Sequence, residues 1–191
     1  MPPLRQVYRA YDPQQHPPAE SFRYCPLCRA ELFLQQFETR LRSVCPQCGC
    51  VYYKNPAPAV SVLIVQGSRV LLGKRANQPG KGKWATPSGY IEYEDDYLST
   101  AVREAKEETG LEIEIKAILN VASTFLSPKY HFFAVYLLAE ALGGALTPGD
   151  DMLEVAWFYP SGPLPELAFE EDRDVLGAYS EGKLEGIPIN P

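Results

Sequence analysis

Glu92, Glu94, Asp95, Asp96, Glu104, Glu107 and Glu108 place seven of the chain's 24 acidic residues within the 22 positions from Gly89 to Gly110. Side chains of one sign crowded this closely repel one another, which points to a cationic partner. Neither Cys nor His stands among them, so the ligands on offer are oxygens alone, a set suited to Mg2+ or Mn2+. Such ions neutralise the oxygens of a diphosphate, activate water and steady a departing phosphate. Hydrolysis of a phosphoanhydride is the chemistry within reach.

A second set has a different character. Cys25-x2-Cys28 and Cys45-x2-Cys48 are separated by sixteen residues, a spacing that lets two knuckles meet around one tetrahedral Zn2+. Four thiolates close the shell, and a closed shell is structural, because catalytic zinc keeps a place for water. Two disulfides are the alternative, disfavoured in a chain without a secretion signal that meets reducing conditions. Cys50 is left over, either a buried thiol or a register-shifted ligand, and CPQC at Cys45 matches CPLC at Cys25 better. The unit is too short to build its own core, so the metal staples it. Folding, a homodimer contact and support facing the substrate are the roles open to it.

These residues need elements to hold them. From Ala59, AVSVLIVQ and RVLLGKR alternate around a turn at Gly67 and predict a hairpin. The loop NQPGKGKWATPSG follows. DDYLSTAVREAKEETG has helical periodicity, with Leu98, Ala101, Val102 and Ala105 as its apolar stripe, Asp96 as cap and Gly110 at the stop. At about 100° per residue, Glu104, Glu107 and Glu108 fall within about a 100° arc beside that stripe. LEIEIKAILNVAST, YHFFAVYLLAE and EVAWFYP read as strands, residues 143–151 as a loop, and a closing helix is expected near Leu167–Tyr179. The resulting organisation is a Pro-rich extended arm over 1–22, a zinc ribbon over 23–54, a stiff linker over 55–58 and a mixed α/β domain over 59–191.

Gly89-x5-Asp95-x7-Arg103-Glu104-Ala105-x-Glu107-Glu108-x-Gly110-Leu111 resembles the Nudix box, G-x5-E-x7-R-E-U-x-E-E-x-G-U with U aliphatic. The resemblance implies a Nudix α/β/α sandwich with a mixed sheet, preceded here by the ribbon, and a metal-dependent pyrophosphatase. It also implies roles by position. Glu104, Glu107 and Glu108, with the carbonyl of Ser88, hold the divalent ions; Glu104 lies nearest the attacking water and Arg103 orients it. Asp95 replaces the usual Glu with a chain one methylene shorter, and Glu94 stands where Gly is common. For the general base Glu104 comes first, with Glu92, Asp150, Asp151 and Glu154 behind it.

A four-cysteine ribbon before such a domain further resembles NADH pyrophosphatases and plant FAD pyrophosphatases, and LAFEEDRDVLGAY is loosely similar to the latter. The implied substrates are FAD, ADP-ribose and NADH. An NADH enzyme is expected to carry S-Q-P-W-P-F-P-x-S after the box, where this chain has VASTFLSPKYHFF. FAD or ADP-ribose is therefore preferred. A regulator that binds nucleic acid through its ribbon and senses a nucleotide without cutting it is the second reading, opposed by the intact triplet of glutamates.

Weaker candidates complete the site. Arg75, at a strand end, is placed to meet phosphate, ahead of Lys81 and Lys83; Trp84, Tyr90, Tyr93, Phe125 and Tyr130 are of a type that stacks on a base, and Glu92 faces the same region. Gly80-Lys81-Gly82-Lys83-Trp84-Ala85 fits G-x-G-x-x-A only formally, because no helix start follows and Pro87 comes at once. His16 and His131 are isolated. Composition, at 46% hydrophobic and 22% charged, is that of a globular protein. Residues 1–54 hold seven Lys/Arg against four Asp/Glu, a surplus too small for a committed nucleic-acid binder. No apolar run is long enough to span a bilayer, and MPPLRQVYRAYDPQQHPP lacks the apolar centre of a signal peptide. A cytoplasmic protein is expected.

Overall fold

The near-continuous apolar run of AVSVLIVQ decides the architecture, because a strand whose two sides are both apolar must be covered on both. The computed structural model describes residues 22–127 and 130–189, so the arm expected over residues 1–22 lies outside the described residues except for Phe22. In chain order the elements are β1 (Phe33–Phe37), β2 (Arg40–Val44), β3 (Val51–Tyr52), β4 (Ala57–Gln66), β5 (Arg69–Arg75), β6 (Trp84–Ala85), β7 (Ser88–Tyr90), α1 (Tyr97–Thr109), β8 (Leu111–Ser127), β9 (Tyr130–Gly144), β10 (Met152–Phe158), α2 (Glu170–Ser180) and β11 (Ile187–Pro188). β1-β2-β3 form one small sheet. The large sheet runs β10-β5-β4-β9-β8-β11, with β6 added to β5 and β7 to β4. Its β4–β9 pairing is parallel and its neighbours pair antiparallel, so the sheet is mixed.

The two sides of β4 go to two helices. Val60, Val62 and Ile64 pack with Leu71, Leu137, Ala101 and Ala105 under α1. Leu63 and Val65 pack with Val70, Leu72, Leu119, Val175 and Leu176 under α2. Each such side chain, fully withdrawn from water, contributes roughly 1.5–3 kcal/mol. The result is an α/β/α sandwich. Among the described residues no helix is long and apolar enough to cross a membrane.

α1 starts where Asp96 accepts from Leu98 N at 2.7 Å and Ser99 N at 3.0 Å, while Ser99 Oγ accepts from Asp96 N at 3.2 Å. This reciprocal box satisfies donors that the first turn leaves open. The helix stops at Gly110, whose φ of 74° is left-handed. Its buried face differs from the expected stripe: Val102 is exposed, and Thr100, Ala101, Glu104, Ala105, Glu108 and Thr109 are buried. Two alanines allow the helix to lie close to the sheet, and two glutamates take the inward positions because β7 offers them polar backbone.

Other boundaries shift for local reasons. β4 begins at Ala57, inside the stretch expected as linker; Pro58 lacks an N–H, and its carbonyl accepts from Ile91 N at 3.1 Å. The expected loop before α1 contains β6 and β7, which are too short to show a period in the sequence. α2 starts at Glu170 with Glu170, Glu171 and Asp172 in its first turn, charges that favour the positive end of the helix dipole.

In the small sheet, the Sγ atoms of Cys25, Cys28, Cys45 and Cys48 all lie within 4.8 Å of one another. Cys25 and Cys48 are 3.7 Å apart, and Cys28 and Cys45 are 3.3 Å apart. Thiolates about 2.3 Å from a central zinc sit roughly 3.8 Å from each other in a tetrahedron, whereas a disulfide needs about 2.05 Å. All five cysteines are free thiols, so the disulfide alternative is not realised. The knuckles are alike: Arg29 N donates to Cys25 O at 2.8 Å and Gly49 N to Cys45 O at 3.0 Å. Tyr52 Oη lies 3.2 Å from Cys25 Sγ, and Cys50 stays outside the cluster. The purified chain is expected to carry one equivalent of zinc by elemental analysis. Stripping it, or the double substitution of Cys25 and Cys28 to Ser, should expose residues 23–52 to protease while the large sheet stays protected.

Candidate active site

β7 is the platform of the site. Its Ser88 and Gly89 pair with Ser61 and Val60 of β4 on one side, and α1 lays two glutamates on it from above. Ser88 N donates to Glu108 Oε2 at 3.0 Å. Glu104 rests directly on Gly89, where an added Cβ would stand 2.0 Å from Glu104 Oε1, so only glycine admits the carboxylate. Arg103 Nη1 lies 2.9 Å from Glu104 Oε1 and 3.0 Å from Glu107 Oε2, and its Nε lies 3.5 Å from Asp95 Oδ2. Asp95 thus reaches the guanidinium despite its shorter chain.

A cleft of about 520 Å3 opens over this platform, a size that accepts a nucleotide-scale ligand. Glu104, Glu108, Asp150 and Asp151 interact with one another and make its acidic end, and Asp95 and Glu92 line it too. Tyr90, Phe132, Thr124, Phe169 and Arg75 also line the cleft, as do the acids Glu171 and Asp172 of α2. The Tyr90 and Phe132 rings lie 5.3 Å apart, and the Arg75 guanidinium sits 5.1 Å over the Phe169 ring, its Nε donating to Pro79 O at 2.8 Å.

The sequence-expected residues divide accordingly. Ser88, Tyr90, Glu92, Asp95, Arg103, Glu104, Glu108 and Arg75 meet at the cleft. Glu107 is turned away to Arg103 and is half-exposed, so the three glutamates do not converge as one cluster. Trp84 is outside the lining; it packs edge-on against Phe158 at 5.0 Å, anchored by its backbone to Glu166 and Ala168. Lys83 pairs with Glu166 at 2.7 Å and Glu154 with Lys74 at 3.8 Å. Tyr93 is fully exposed, and Phe125 stacks on His131 at 4.3 Å.

The acidic end is electrostatically strained. Burial pushes the Glu108 carboxyl up to about 9, with the neighbouring Asp151 adding to it and the Ser88 N–H opposing. Burial likewise raises Glu104, against the pull of Arg103 and helped by Glu107 and Asp150. Asp151 Oδ1 is buried with no hydrogen-bond partner. Crowded, desolvated carboxylates with an orphaned oxygen fit a hard divalent cation, whose charge would remove the conflict.

A second buried acid escaped sequence reasoning. Asp172 of α2 is 2% exposed; it accepts from Thr86 N at 3.0 Å, Thr86 Oγ1 at 2.9 Å and Tyr136 Oη at 3.2 Å. Burial raises its carboxyl to about 6, against the Thr86 donors. The polar Ser61 within the apolar run AVSVLIV was the one local sign of this network, and Ser61 Oγ lies 2.5 Å from Thr86 Oγ1. Thr124 also donates to Glu171 beside it.

Comparison with known proteins places this geometry. The NUDIX domain pattern matches residues 55–178. The chain is 38% identical over 122 residues to an ADP-ribose pyrophosphatase of Methanocaldococcus jannaschii, covering 63% of this chain and 72% of that one. It is 30% identical over 159 residues to the NAD-capped RNA hydrolase NudC of Pseudomonas aeruginosa, covering 82% of this chain and 55% of that one, so it spans about half the length of that relative. Among solved structures it is similar to a NUDIX hydrolase from Nitrosomonas europaea, with a TM-score of 0.76, 31% identity, and 85% and 92% of the two chains covered.

Two outcomes are expected from the geometry. Gly89→Ala should leave the circular dichroism spectrum unchanged yet unseat Glu104, lowering hydrolytic activity by about 100-fold, as a displacement near 1 Å can do. The second concerns pH. Glu108 has a folded-state pKa raised above its ordinary 4.5, so its contribution to stability is complete below that value and is lost as pH rises through about 9. The thermal midpoint of ion-free protein should therefore fall over that interval, Glu108→Gln should flatten the fall, and Mg2+ should offset it most at the alkaline end.

Proposed function

This chain belongs to the Nudix family and is a Nudix hydrolase, and we propose that it splits the diphosphate of a nucleoside diphosphate-linked compound into AMP and a second monophosphate. The observation that carries the reading is the seating of Glu104 on Gly89 and Glu108 on Ser88 N within one nucleotide-sized cleft. ADP-ribose is the foremost substrate, supported by the likeness to the archaeal ADP-ribose pyrophosphatase. An NADH-type substrate is supported by the likeness to NudC of Pseudomonas aeruginosa and opposed by VASTFLSPKYHFF, which stands where the NADH signature is expected. FAD is the third candidate, supported by the loose likeness of LAFEEDRDVLGAY alone.

Glu104 and Glu108, with the carbonyl of Ser88, would hold Mg2+ or Mn2+, and Glu107 would join them on release from Arg103, which it pairs with at 3.0 Å. The ion supplies charge neutralisation at the phosphate oxygens and acidifies bound water. Arg103 holds Glu104 in its rotamer, and Asp95 steadies Arg103 from the loop before α1. Arg75, which lines the cleft, would pair with phosphate. Tyr90, with Phe132 beside it, takes the stacking role that Trp84 is not placed to fill. Glu92, Asp150 and Asp151 line the same end, within reach of a proton released by the attacking water; Glu104 remains the first choice of base. The four cysteines would hold Zn2+ as a staple.

Incubating the protein separately with ADP-ribose, FAD and NADH, plus Mg2+ or Mn2+, tests the reading. AMP and ribose 5-phosphate should appear from ADP-ribose in a metal-dependent reaction. Glu107→Gln and Glu108→Gln should each cut turnover by at least about 100-fold, the kinetic equivalent of several kcal/mol, with the fold retained. Full activity in both variants would overturn the assignment. Salt-sensitive retention on nucleic acid with no hydrolysis of any of the three compounds would favour the regulator instead.

A further inference from the structure

The hydrolytic reading leaves one buried acid without a task. We propose that Asp172 is a positioning residue: through Thr86 it fixes the Ser88–Gly89 platform on which Glu108 and Glu104 take their places. The inference rests on the reading of the acidic end as a divalent-ion site.

The hydrogen bonding dictates a carboxylate at this position. Thr86 donates its N–H to Asp172 Oδ2 and its hydroxyl to Oδ1, and the Tyr136 hydroxyl donates to Oδ1 as well. Three donors converge, and an ionised carboxylate is the side chain that only accepts. With the Thr86 hydroxyl donating to Asp172, its oxygen is free to accept from Ser61 Oγ, 2.5 Å away, and Ser61 is itself the β4 partner of Ser88.

The mechanical consequence follows along the chain. Thr86 is held from the α2 side by Asp172, and Pro87 is held from β4 because its carbonyl accepts from Val62 N at 2.8 Å. Ser88 and Gly89 come next, with Glu108 bonded to one and Glu104 pressed on the other. A shift of about 1 Å in this strand would lengthen the Ser88–Glu108 bond beyond hydrogen-bonding range and free Glu104 from its seat. Asp172 also lines the cleft, but its hydrogen bonds go to Thr86 and Tyr136 and not to either glutamate, so the proposed effect on the platform passes through Thr86.

The test uses the full zinc-loaded chain. Asp172→Asn keeps the shape but puts an amide donor among three donors; Thr86→Val removes the hydroxyl and keeps the N–H. Mn2+ binding is read from the paramagnetic resonance signal of free ion, kcat and KM from ADP-ribose hydrolysis, and folding from circular dichroism. In Asp172→Asn, Mn2+ affinity and kcat per folded molecule should each fall by about tenfold or more, the scale of losses when residues behind metal ligands are changed, while KM moves less than about twofold. Thr86→Val should move both in the same direction by less. A merely structural Asp172 would lower the melting temperature and leave Mn2+ affinity and kcat of the folded fraction alone. That result overturns the proposal. Should Asp172→Asn fail to fold, Thr86→Val decides by the same criterion. Because Mn2+ binding is read without turnover, a wild-type protein that binds the ion and cleaves none of the substrates would sink the proposed function and leave this inference decided.

Discussion

The conflict between two carboxylates withdrawn from water on one helix face is the constraint around which the rest is arranged. Glu104 and Glu108 sit one turn apart on the inward side of α1, where an apolar residue would pack better and cost nothing in solvation. Burial makes each reluctant to ionise, and Asp150 and Asp151 across the cleft deepen the reluctance. Arg103 offsets part of it for Glu104, and the Ser88 N–H part of it for Glu108. The remainder is what a bound cation would relieve. A site that is uncomfortable alone and satisfied when loaded binds its ion with the free energy of the relief.

The sandwich serves that arrangement from both sides. α1 supplies the acids, and its alanines at 101 and 105 set the distance to the sheet. β7 supplies the surface against which they are registered, a three-residue strand with a glycine where a carboxylate must lie flat. α2, on the other layer, supplies Asp172 and with it a hold on the residue that leads into β7. The polar line Ser61–Thr86–Asp172–Tyr136 thus ties α2 to the central strands β4 and β9 and to the residue that leads into β7.

Local physics was readable in the sequence, and long-range physics was not. The Asp96 cap, the Gly110 stop, the apolar run of β4 and the paired CxxC knuckles depend on residues a few positions apart, and each stands where the pattern put it. Val102 shows the limit of residue type as a guide: an apolar side chain faces water while on the inner side Glu108 accepts from Ser88 N and Glu104 lies against Gly89. Trp84 shows another. An aromatic in a Gly- and Lys-rich loop has the composition of a stacking platform, yet two short backbone pairings turn it into the core against Phe158. Glu107 shares the arc of its neighbours but not their direction, because the flexible Arg103 captures it. Asp172 gave no local sign, since its partner Thr86 is 86 positions away.

That separation bears on how the chain folds. Ala57 of β4 lies beside Phe132 of β9 in parallel, a closure that is slow because a long loop must be gathered first. The acid-bearing helix can wind on its own caps, but Asp172 belongs to α2 and lies 86 positions from its partner Thr86. On the proposed role of Asp172, docking of α2 would complete the frame on which Glu104 and Glu108 are seated, so the charges of the site and the hold on them come from opposite layers of the sandwich.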